Sequence, residues 1–186
     1  MPRPAPPAFP QSADGSAKQR VMFELLRART QLMAALQGLS AGSGERALGL
    51  GKWTVRETVL HLVTRDRARL REMEAALLGR RGSWIGQGEA ANATMNETDL
   101  APLRHHDWDQ TLRLLQSTRQ QLMEAIEAVP DQPAGVWLAT HPFGEMLLKL
   151  PPHDRHHAEA LKHWRAAGDP HAKTPAKQTR RRKETT

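Results

Sequence analysis

The chain has 186 residues and no cysteine, which excludes disulfides, thiolate nucleophiles and cysteine-ligated zinc and fits a reducing, cytoplasmic setting. With 39% apolar residues and no run of bilayer length, it reads as one folded domain with no membrane span. Its formal charge of +7 is lopsided: residues 168–186 hold six Lys/Arg against Asp169 and Glu184, leaving only about +3 for the rest.

In chain order, residues 1–15 read as a flexible Pro-rich leader; "MPRPAPPAFP" lacks the apolar core of a secretory signal. A helical pattern starts near Ser16, with Met22, Leu25, Leu26, Leu32, Met33 and Leu36 at three- and four-residue steps. The glycines of "GLSAGSGERALGLG" end it. A second helix opens at "WTVRE": Thr54 is the N-cap, Glu57 its capping-box partner and Trp53 the staple residue. Val55, Val59, Leu62, Val63, Leu70, Met73 and Leu77 carry the pattern onward.

Residues 80–107 read as a long crossover with little periodicity. A third helix begins near Asp107, with Trp108, Leu112, Leu115, Leu122, Met123 and Ile126 as its stripe. The last helix runs from about Pro152 to Ala167, where Gly168 and Pro170 stop it. Four amphipathic helices must bury their apolar faces on one another. The expected fold is all-α: a four-helix bundle over 16–167 with a long crossover between helices 2 and 3, and disordered termini. The basic tail, 168–186, has no hydrophobic period and should lend at most weak, salt-sensitive affinity for nucleic acid.

Four of the nine histidines crowd into "PPHDRHHAEALKHW", residues 151–164. At about 100° per residue, His153 and His157 project together, near Ala160 and Trp164, on the face read as inward. Arg155, Glu159 and Lys162 lie opposite, His156 and His163 fall on the flank, and Asp154 points about 100° away from His153. An i, i+4 histidine pair offers two imidazoles to one metal ion, and a facing element must supply a third. His61, His105, His106 and His141 are the candidates. His61 falls outside the apolar arc of the second helix, beside Glu57, Arg65 and Ala68, which predicts exposure or a wet, open end of the bundle.

"GKWTVRETVLHLV" (51–63) resembles the Trp-Thr/Ser-x-x-Glu-x-x-x-His signature of the DinB/YfiT-like superfamily. "HPFGEMLLKLPPHDRHHAEAL" (141–161) resembles its His-Pro-x-x-Gly and His-x-x-x-His region, and the likeness spans roughly 16–167. The resemblance implies a four-helix bundle, often a homodimer, holding a divalent metal on His61, His153 and His157. It also implies a metal-dependent hydrolase or a thiol-dependent S-transferase acting on a small molecule, with a low-molecular-weight thiol as co-substrate, or an uncharacterised stress-associated protein. Ligand type leaves Zn, Ni, Fe and Mn open.

Around the ligands, Glu57 stands one turn before His61, placed either to orient that ring or to serve as the capping-box partner of Thr54. Trp53 reads as staple and core filler, and His141, in the turn sequence "HPFG", as a pocket residue. Pro151 and Pro152, directly before His153, predict that the helix starts at the ligand pair or kinks there. The alternative expectation is a non-catalytic small-molecule-binding bundle whose histidines line a polar pocket.

Overall fold

The computed structural model describes residues 15–49, 52–82 and 87–168; most of the leader and all but Gly168 of the basic tail lie outside the described residues. Four long helices form the bundle: α1 (Ala17–Leu36), α3 (Val55–Leu77), α5 (Trp108–Glu127) and α7 (Leu150–Ala166). Three shorter ones complete it: α2 (Ala41–Gly44), α4 (Glu89–Leu100) and α6 (Pro142–Leu148). Among the described residues, no helix is long and apolar enough to cross a membrane.

The starts are chemically marked. Ser16, Thr54 and Asp107 each accept a bond from the backbone N–H three residues on, and the Gln19, Glu57 and Gln110 side chains close reciprocal capping boxes. The prolines of the last helix are accommodated simply. The helix begins at Leu150, so Pro151 and Pro152 occupy its first turn, where the missing N–H groups have no helical partner to lose.

Two stretches read as loops are helical. The 80–107 crossover contains α4, of which only Leu100 is buried. Too few apolar residues fall on one face for a periodic signal; ion pairs to the rest of the bundle supply what apolar burial does not. The segment before the last helix contains α6, capped by His141, whose Nδ1 accepts from the Phe143 N–H at 3.3 Å. Gly144 is required there, because a Cβ would overlap the Leu138 carbonyl as the helix folds back on that strand of backbone.

α1 packs along α7 and α3 along α5, while α4 and α6 lie on α3. The core forms two apolar clusters, one around Leu32, Val59, Leu115 and Leu161 and the other around Leu25, Met73, Leu122 and Leu150. Between them lies a ring of buried charge with one member from each long helix: Arg29, Asp66, Arg119 and Asp154. α1 and α7 thus pass from the second cluster to the first, and α3 and α5 run the other way. That up-down-down-up order is what the long crossover makes possible.

Candidate metal centre

His61 stands on the second turn of α3, and His153 and His157 on successive turns of α7. Their Nε2 atoms meet. His153 Nε2 lies 3.1 Å from His61 Nε2 and 3.2 Å from His157 Nε2. Among the described residues this is the one set of three metal-ligand side chains whose donor atoms converge.

His61 is buried, contrary to its place on the helical wheel. Every residue from Thr58 to Asp66 is buried, because α3 is covered on all sides by α5, α4, α6 and α7. For a central helix, lying outside the apolar arc does not mean facing solvent. The face of α7 also differs from expectation. Its deepest stripe is Leu150, Asp154, Ala158 and Leu161, and His153 and His157 are half-buried beside it. His156 and His163 are exposed.

Burial dominates the protonation of the three rings. It pushes His61 down to about 3, His153 to about 2 and His157 to about 4, with nearby positive charges adding to the effect. All three are neutral at physiological pH, the state a metal ligand needs. A neutral imidazole nitrogen has one lone pair, so His153 Nε2 cannot accept from both partners that face it. The buried Nδ1 atoms of His61 and His153 find no hydrogen-bond partner among the described residues.

The donor set fits a divalent cation. Two nitrogens each about 2.1 Å from one ion stand roughly 3.0 Å apart at a right angle and roughly 3.4 Å apart at the tetrahedral angle. The observed separations of 3.1 and 3.2 Å fall between these limits.

Around the triad, the Trp53 ring lies 4.9 Å from the His61 ring, and its Nε1–H donates to Glu97 of α4 at 3.0 Å. Arg104 donates to both Glu97 and Glu57, and Arg65 pairs with Asp99 of α4 at 2.8 Å. Glu57 accepts from the Thr54 N–H and from Arg104 Nε. Partial burial opposes its charge, yet these donors hold its carboxyl below the usual range. Its carboxylate is thus engaged by the cap and the crossover. His141 caps α6, and His106 Nδ1 lies 2.9 Å from the Leu103 carbonyl oxygen.

A family description decides what kind of bundle this is: that of the DinB superfamily matches residues 24–161. The chain belongs to the DinB superfamily. Solved structures with the same fold as this DinB chain include the colibactin self-resistance protein ClbS in complex with a dsDNA. It is 14% identical, with a TM-score of 0.67 over 82% of this chain and 98% of that one. The sibling lethal factor precursor DfsB is 12% identical, with a TM-score of 0.66 over 83% and 98%. YfiT from Bacillus subtilis, described as a probable metal-dependent hydrolase with an unusual four-helix bundle topology, is 17% identical, with a TM-score of 0.56 over 88% and 93%. No curated protein matches the chain.

Arg65 and Asp154, read in the sequence as neighbours of His61 and His153, are buried, and so are Asp66 and Arg69, which the sequence reading does not single out. A signal was available: Asp66 falls seven residues after Val59, within about 20° of it on the helical wheel and so inside the apolar arc of α3, where a charge calls for a buried partner.

Proposed function

We propose that this DinB protein binds a divalent metal ion on His61, His153 and His157 and is a metal-dependent hydrolase or thiol-dependent transferase acting on a small molecule. The observation that carries the reading is the meeting of three neutral Nε2 atoms at 3.1 and 3.2 Å. Held by three uncharged ligands, such an ion keeps its double charge and open positions, and can lower the pKa of a bound water or thiol toward about 7.

The chain's own residues have definable tasks. Burial keeps the imidazoles unprotonated. The Trp53 ring braces His61 and ties it to α4 through Glu97. Asp154, adjacent to His153, is anchored to Arg29 and Arg119 and fixes the rotation of α7 that aims the pair inward. The family membership and the description of YfiT support the reading.

Untagged protein should carry Zn, Ni, Fe or Mn by mass spectrometry, or take up one equivalent on titration. Hydrolysis or thiol transfer on a panel of small substrates should then stop on chelation. Protein that binds none of the four metals would overturn the proposal. Small-molecule binding that survives chelation unchanged would establish instead the non-catalytic binding bundle.

ClbS is described in complex with a dsDNA. For this chain we propose only a weak polyanion affinity carried by the basic tail. Deleting residues 170–186 should remove its salt dependence.

A further inference from the structure

We infer that residues 1–14 of this chain dock into an apolar groove away from the triad, with Phe9 and its flanking prolines on the groove wall and Arg3 beside Glu74. The groove holds about 560 Å³ and lies between the C-terminal halves of α3 and α5 and the turn that follows α5. Leu70, Met73, Leu77, Val129 and Val136 form its wall, all of them on the second apolar cluster. Its first residue on α3 stands nine positions beyond His61, about 13 Å further along the helix. The groove is therefore a surface apart from the metal centre.

Three observations name the occupant. The first is where the chain enters the fold. α1 starts at Ala17, which packs on the second cluster. Lys18 Nζ donates to the Val129 carbonyl at 2.9 Å and to the Glu127 carbonyl at 2.6 Å, and Val129 is itself groove wall. α1 also packs on Ala134–Trp137, whose Val136 is a second wall residue. Residues 1–14 therefore join the bundle beside the groove, and at about 3.3 Å per extended residue they can span its length. The second observation is composition. "MPRPAPPAFPQSAD" holds five prolines and Phe9, and a proline-rich chain enters an apolar groove at small cost in conformational freedom. The third is charge: Glu74 is the one charged residue lining the groove, and Arg3 is the one Lys or Arg in residues 1–14.

The chain has no cysteine, so one introduced thiol reports on one place. The test is the rate at which iodoacetamide alkylates full-length Ala125→Cys, a groove-wall position, followed by mass spectrometry. Adding Phe9→Ser should raise the rate about tenfold, because losing one docked aromatic side chain shifts the open fraction by at least that factor. Arg3→Gln should raise it severalfold. Excess synthetic peptide of residues 1–14 should slow the Phe9→Ser protein again. The control is Ala34→Cys, exposed near the other end of α1, whose rate should ignore every change at Phe9 and Arg3. An Ala125→Cys rate indifferent to Phe9→Ser overturns the inference. So does an equal rise at Ala125→Cys and Ala34→Cys, which would mean general loosening of the bundle. Occupation of the groove by some other molecule would show as the first of these outcomes.

Discussion

Arg119 on α5 grips Asp66 on α3 through two bonds, Nε to Oδ2 at 2.9 Å and Nη2 to Oδ1 at 2.8 Å, with both side chains nearly inaccessible to water. Arg29 joins the same carboxylate at 3.0 Å and reaches Asp154 at 3.1 Å, and Arg119 closes the ring to Asp154 at 3.2 Å. Two positive and two negative groups, one from each long helix, cancel in the middle of the bundle. Removing one leaves an odd buried charge, which costs about 3–5 kcal/mol. Arg119→Met should lower the unfolding free energy measured by urea titration by that much while far-UV circular dichroism stays helical. A loss under about 1 kcal/mol would show that the ring contributes little to stability.

His61→Ala, His153→Ala and His157→Ala should each abolish stoichiometric metal binding, because two imidazoles rarely hold an ion alone. His156→Ala and His163→Ala, on the exposed side of the same helix, should leave it intact. Metal content by mass spectrometry after dialysis, with helicity as the folding control, separates the two groups.

Stability of the metal-free protein should fall between pH 6.5 and pH 4. Unfolded imidazoles take up protons near pH 6.5, whereas burial delays this to about pH 4 for His157 and lower for His61 and His153. Across that window the unfolded chain binds more protons, so each step downward favours unfolding. Urea midpoints at pH 7.5 and 5.0 should differ clearly in the wild type and much less in a variant with all three histidines changed to Gln. Equal slopes in the two proteins would refute the assignment.

Gly144→Ala should destabilise by about 1–3 kcal/mol, since the added methyl meets the Leu138 carbonyl and backbone must move. A melting temperature several degrees lower is expected. Gly135→Ala, whose Cβ meets nothing within 4 Å, is the control and should be near neutral.

The sequence reveals most where chemistry is local. Thr54 with Glu57 and Asp107 with its following turn mark the starts of α3 and α5, because caps act within one turn. The His153–His157 pair is readable for the same reason. His61, the third candidate ligand, follows from family likeness, since the wheel of α3 places it outside the apolar arc. A wheel assumes a single neighbour on one side, and α3 has neighbours all round. α4 escaped because it is held by Glu97, Asp99 and one leucine, with no apolar period to detect. The ring around Asp66 escaped because its four members come from four helices and lie up to 125 residues apart.

The charged ring also separates the interior into two apolar compartments. Side chains such as Leu25 and Leu122 share no apolar cluster with Val59 and Leu161. Substitutions on opposite sides of the layer should therefore combine additively. A lineage can reshape the histidine-bearing compartment around a new ligand while the other compartment, untouched, keeps the bundle folded.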